Sequence, residues 1–251
     1  DVLVLDADFV CRVRQELEPA INIPAWNIMV CATHTHTGPV TTPVFTSEPD
    51  PKYLQWLQKQ VVGAILDAEM HKSPCKIRLA QTFVEGISGN RRLLFNDGRV
   101  HTHITPDCIQ NVVGTEGPTD TELIVVACLE EKSNWPTTAL VNFPLHPTNV
   151  RGDRIHPDYP GPLRKTLQKQ FGNKMTTIFL NGPCGNIDSK TPALEHVPYG
   201  PERAAYIGET LAKQAIHALT SEQSKIVESF TLDAVSRTIR LPVRRPSAEQ
   251  L

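Results

Sequence analysis

Ala139-Leu-Val-Asn-Phe-Pro-Leu-His-Pro147 is an apolar run that stops at a histidine before a proline. It reads as a buried strand, 138–143, with His146 carried just past its end. Thr177-Ile-Phe-Leu-Asn-Gly-Pro-Cys-Gly-Asn-Ile-Asp188 has the same form: a strand over 176–180, then a glycine-rich loop holding Asn181, Asn186 and Asp188. The stretch between them, 157–171, reads as a helix. Working outward, 123–129 is a strand that pairs with 138–143 across the Lys132-Ser-Asn-Trp135 turn, and 76–84 alternates with period two. Helices are predicted over 8–18, 51–71 and 201–219, with Pro51 suited to a first turn. Strands are predicted over 2–6, 28–32 and within 225–243. Residues 86–120, rich in Gly, Asn, Asp and Pro, read as a long loop of the kind that is functional or mobile. Strands and helices alternate without an internal repeat. The expectation is one α/β domain with a mixed β-sheet covered by helices and a site at the strand ends.

A second strand end carries a denser signal. Cys31-Ala-Thr-His-Thr-His-Thr-Gly-Pro39 follows the apolar run Ile28-Met-Val30. Residues two apart on an extended chain share a face, so His34 and His36 are expected to aim at one point. Neutral imidazole is the commonest metal ligand near neutral pH. Gly86-Ile-Ser-Gly-Asn-Arg-Arg92 ends a further strand in an arginine pair. If these strands lie side by side, two or three histidines, a carboxylate and an arginine share one pocket. Each has a duller explanation when taken singly: a satisfied core histidine, plain turn chemistry in the glycine-rich loop, a solvated arginine rim. The loop is no P-loop, because the Lys-Ser/Thr pair is missing.

The totals narrow the class. A chain of 251 residues with 40% hydrophobic and 21% charged residues can bury a substantial core. A formal net charge of -2 gives no electrostatic case for nucleic acid. No apolar run approaches the ~20 residues of a transmembrane segment. The six cysteines are scattered with no C-x-x-C pair, which argues against a structural zinc knuckle, and they read as small buried hydrophobes. The chain opens at Asp1 inside a strand-like run, so the expectation is a domain truncated at both ends. Secreted and cytoplasmic locations both stay open, as does the oligomeric state.

Five segments occur in the order found in neutral/alkaline ceramidases: Thr33-His-Thr-His-Thr-Gly-Pro39, Gly89-Asn-Arg91, Asn142-Phe-Pro-Leu-His-Pro-Thr148, Asp158-Tyr-Pro-Gly161 and Asn181-Gly-Pro-Cys-Gly-Asn-Ile-Asp188. Gly117-Pro-Thr-Asp120 also resembles a family segment. The resemblance covers roughly residues 27 to 190. Such enzymes are zinc amidases that split the N-acyl bond of ceramide. The resemblance implies Zn2+ as cofactor, with His34 and His146 as metal ligands, His36 as a polar neighbour of the metal, and Arg91 near the reacting centre. A zinc with an open position acidifies water and polarises a carbonyl, and an arginine there stabilises a developing oxyanion.

Two departures follow. The family's loop runs Gly-Asp-Val-Ser with a nucleophilic serine, whereas Gly185-Asn-Ile-Asp188 places Asp188 at that position and Ser189 one residue later. A carboxylate serves better as general base for metal-activated water, or as a further ligand. The family's remaining zinc ligands, a Glu and a Tyr from well downstream, have no matching motif before Leu251. The leading expectation is a zinc-dependent hydrolase of an amide (N-acyl) or related acyl bond, acting on a small-molecule or lipid-like acylated amine. The catalytic candidates are His36, Arg91 and Asp188. The alternatives are a non-catalytic ceramidase-like binding module and, third, a metal-dependent phosphoesterase.

Overall fold

The computed structural model describes residues 1–102, 106–189, 194, 196–235, 237–243 and 245–247, without the side chains of 106 and 107. Helix α1 spans Ala7–Ile21, started by Asp6, whose carboxylate accepts from the Phe9 amide, and ended at Asn22 in the left-handed region. Phe9, Val13 and Leu17, four apart, form its buried stripe. Helix α2, Pro51–Met70, has Asp50 as its cap and Pro51 in its first turn. The two helices pack on each other around Val13, Leu17, Leu57, Val61 and Val62.

The strands that follow are β1 (Cys75–Phe83), β2 (Gly89–Asn90), β3 (Leu93–Phe95), β4 (Val100–His101), β5 (Val112–Thr115), β6 (Glu122–Glu130) and β7 (Pro136–Phe143). Helix α3 (Pro160–Phe171), β8 (Thr176–Asn181), β9 (Ile187–Asp188), α4 (Pro201–Thr220) and β10 (Lys225–Val227) complete the order. The main sheet runs β10-β1-β6-β7-β8. Every neighbouring pair is antiparallel except β7 and β8, which are parallel and joined by α3, so the sheet is mixed. Strict alternation on β6 and β7 buries Leu123, Val125, Ala127 and Leu129 with Ala139, Val141 and Phe143. That face is covered by α3, through Leu163 and Leu167, and by α4, through Ile207, Leu211 and Ala215. The fold is a single mixed α/β domain with its core between the sheet and these two helices.

Several local expectations are corrected. Neither 2–6 nor 28–32 is a strand: neither segment joins a ladder. They touch the rest of the chain through single bonds such as His34 N–H to Val2 O. The supposed loop 86–120 holds β2 to β5, with β4-β3-β5 forming a small sheet and β2 pairing with β9. These strands are two to four residues long, too short for periodicity to register. Of 225–243 only β10 is strand among the described residues, since the segment beyond it has no partner. Cys11, Cys31 and Cys75 are exposed and Cys108, Cys128 and Cys184 intermediate, so the cysteines are not buried hydrophobes.

The closest approach in the core is at Gly208 on α4, where a Cβ would collide with Tyr159 O and lie 2.8 Å from Leu163 N. Gly63 on α2 has nothing within 4 Å of the same position. Denaturant unfolding is therefore expected to show Gly208→Ala destabilised by about 1–3 kcal/mol through overpacking. Gly63→Ala is expected to stabilise by about 0.4–1 kcal/mol through lost unfolded-state entropy.

Candidate metal centre

The parallel pair β7 and β8 sets the site's frame. Past β7, His146 N–H bonds Ile187 O at 3.0 Å, and its ring Nδ1 donates to Cys184 O at 3.1 Å. Cys184 lies in the glycine-rich loop that follows β8, and Ile187 opens β9. Asn181, the last residue of β8, accepts from Leu145 N–H at 3.4 Å and donates to Thr33 O at 3.2 Å. One side chain thus ties the end of β7 to the segment carrying His34 and His36. Gly182 allows the chains to meet, because a Cβ there would sit 2.9 Å from Pro144 Cβ.

The histidine segment reaches its geometry by a route other than strand pairing. His34 occupies the left-handed region at φ 73°, and its Nδ1 donates to Leu3 O at 2.8 Å. Thr35 and Thr37 turn inward instead, and both hydroxyls donate to His156 O, at 2.8 and 3.0 Å. Fixing 35 and 37 on one side leaves 34 and 36 on the other. The rings of His34 and His36 lie 5.2 Å apart, centre to centre.

Three imidazoles converge. His34 Nε2 is 3.2 Å and His36 Nε2 3.0 Å from His146 Nε2, and the three ligand nitrogens all lie within 4.8 Å of one another. A carbonyl only accepts, so His34 and His146 carry hydrogen on Nδ1 and turn Nε2 toward the shared point. Zinc–nitrogen bonds of about 2.0–2.1 Å at tetrahedral angles place ligand nitrogens about 3.4 Å apart. The donor set and its spacing fit a single divalent ion, with the outer ring nitrogens of two histidines anchored as metal-binding histidines commonly are. His146 is buried, His34 partly buried and His36 more exposed.

Arg91 and Asp188 stand beside this cluster. Arg91 follows β2; its N–H bonds Asn186 O at 2.8 Å and its guanidinium bonds Gly185 O at 2.6 Å. Arg92 turns away to pair with Glu116. Asp188 lies on β9, opposite Gly89, and accepts from Ser189 N–H at 2.7 Å. Ser189 is fully buried, and its hydroxyl donates to Asn149 Oδ1 at 2.6 Å. Burial, then the neighbouring His146 and His34 and the Arg91 charge, hold the His36 imidazole at a pKa of about 4, opposed by Asp188. Burial first, with Arg91 and His34 behind it, also lowers His146, against its bond to Cys184 O and the Asp188 charge.

Supporting residues to which the sequence reading gave no role, although Asp158 and Asn90 lie in segments that carry the family resemblance, stand around the cluster. Asp158 is fully buried and accepts from the amides of Asn149, Val150 and Tyr159 and from the Asn149 side chain, at 2.7–3.0 Å. Arg203, also buried, donates to the carbonyls of Ser189, Leu194 and Val197. Asn90 donates to Gly117 O at 3.0 Å, and its amide bonds Thr119 Oγ1 at 2.9 Å. The Gly89-Asn-Arg91 and Gly117-Pro-Thr-Asp120 segments are therefore contact partners.

The His36 shift sets a pH dependence. A histidine lowered on folding binds fewer protons folded than unfolded, so stability falls as pH drops between the unfolded value of about 6.5 and about 4. The midpoint of thermal unfolding without metal is expected to decline across that window, and to decline less in His36→Gln, by scanning calorimetry at stepped pH.

No protein-family model matches the sequence, and no curated protein sequence matches it. Solved structures do. A ceramidase complexed with C2 matches with a TM-score of 0.68 at 19% identity over 86% of this chain. The neutral ceramidase from Pseudomonas aeruginosa matches with 0.68 at 18% identity over 88%. The chain spans about a third of the length of these structures, 34% and 36% respectively. At such identities the shared property is the fold: this chain has the fold of the matched third of these ceramidase structures.

Proposed function

We propose that the protein is a divergent, ceramidase-related hydrolase that uses zinc to cleave an amide (N-acyl) or related acyl bond of a lipid-like or small acylated amine. The observation that carries this reading is the convergence of three imidazole Nε2 atoms, two of them with Nδ1 anchored on main-chain carbonyls. His34 and His146 would hold the metal, and His36 presents a third nitrogen to the same point. When bound there, zinc supplies an acidified water and polarises a carbonyl. The chain's own residues divide the rest of the work. Asp188 takes the proton of the attacking water and hands one to the leaving nitrogen. Arg91 faces the negative charge that develops on the carbonyl oxygen. His36, kept neutral, adds no positive charge to oppose metal binding.

Ser189 has a poor claim on the nucleophile's role, with its hydroxyl buried against Asn149. A two-metal phosphoesterase requires bridging carboxylates, and the ligand cluster among the described residues is three imidazoles alone.

Metal analysis after zinc loading tests the centre. The double variant His34→Ala/His146→Ala is expected to lose zinc by more than the ~10–100-fold that a supporting hydrogen bond is worth. Unchanged zinc content would overturn the assignment. Asp188→Asn is expected to keep zinc and to lower turnover of an acylated amine by about 10²–10⁴-fold.

A further inference from the structure

His36 lines two cavities, one richer in apolar side chains than the other. One, of about 220 Å³, is walled by Leu3, Val4, Val40, Val44 and Phe45, with Thr41, Thr42 and Ser47 at its polar margin. Phe45 is fully exposed, at the tip of a turn closed by mutual backbone bonds between Val44 and Ser47. The other cavity, of about 340 Å³, is lined by His36, Thr37, Thr148, Val150, Arg151 and Gly152.

One polar atom of the residues lining the second cavity is unsatisfied among the described residues, and one exposed guanidinium borders it. Thr148 Oγ1 is buried without a hydrogen-bond partner, a state that costs about 1–3 kcal/mol unless something bonds to it. Arg151 forms no ion pair among the described residues; its guanidinium lies over the Tyr199 ring, 5.6 Å from the centroid. Arg91 adds a second guanidinium beside the histidines, against the single carboxylate of Asp188. Arg151 is the one permanently charged residue among those that line this cavity.

Resting on the hydrolase reading above, we infer that the substrate is an anionic acylated amine of the N-acyl amino acid type. Its acyl group occupies the Val4–Val40–Phe45 cavity, its amide carbonyl lies at the histidine cluster, and its carboxylate is bound by Arg151 and Thr148. Water adds to the amide carbon and the C–N bond breaks. The acyl group leaves as a carboxylic acid, and the nitrogen takes a proton to leave as the free amino acid. A neutral head group offers Arg151 no opposite charge and Thr148 no carboxylate oxygen. The site therefore discriminates by charge on the amine side rather than by acyl length alone.

Calorimetric binding of N-hexanoylglycine and of its uncharged methylamide to the zinc-loaded protein tests this, with amine release followed in parallel. The carboxylate is expected to bind at least about tenfold more tightly than the methylamide, the scale of a charge-assisted hydrogen bond. Arg151→Gln should abolish that difference, Arg151→Lys should keep part of it, and Thr148→Val should reduce it. Circular dichroism checks that each variant is folded. Equal binding of the two compounds by the wild type would overturn the inference. So would a preference that survives in Arg151→Gln, because the carboxylate would then be held by zinc. Charge discrimination without amine release would sink the hydrolase reading while leaving the anion subsite standing.

Discussion

Two ring hydrogen bonds, His34 Nδ1–H to Leu3 O and His146 Nδ1–H to Cys184 O, are the constraint on which the rest of the site depends. They decide which nitrogen of each ring is free. With the hydrogen of both rings on Nδ1, the Nε2 lone pairs of His34 and His146 face each other at 3.2 Å and repel. A cation between them turns that repulsion into coordination. The arrangement is therefore costly without a metal and favourable with one, which is the usual coupling of metal binding to folding.

The surrounding structure holds this strained cluster by main-chain contacts more than by side-chain packing. Asn181 bridges the end of β7 to the histidine segment, and the loop after β8 supplies acceptors for His146 and for Arg91. Behind it, Asp158, Asn149, Ser189 and Arg203 form a buried polar chain in which each group bonds the next or its backbone. A buried carboxylate and a buried guanidinium are tolerable only because each has several hydrogen-bond partners. Rigidity of this kind keeps the imidazoles positioned, as a preorganised site requires.

Much of the frame was legible. The alternation on β6 and β7 and the helical spacing of α1, α2 and α4 follow from burial of one face, which writes itself into residue order. The strand ends at Phe143 and Asn181 located His146 and the glycine-rich loop correctly. What escaped reading had no periodicity to betray it. The short strands β2 to β5 are shaped by hydrogen bonds to residues far along the chain, such as Asn90 to Gly117 and β2 to β9. The 28–32 segment looks like a strand because it is apolar, yet it has no ladder partner.

By itself the sequence determined the elements that bury one face, the mixed α/β class, and the residue types that compose the site, because local spacing records which side chains must leave water. Only the tertiary structure decided that His34 and His36 face one point through a left-handed residue and two inward threonines, rather than through strand pleating. It alone brought His36 as close to His146 as His34 is, and set Arg91 and Asp188 beside them. The approach of His34 and His36 to His146 spans more than a hundred residues of chain. These relations are fixed by which backbone groups meet when β7 and β8 lie parallel, and no local pattern carries that information.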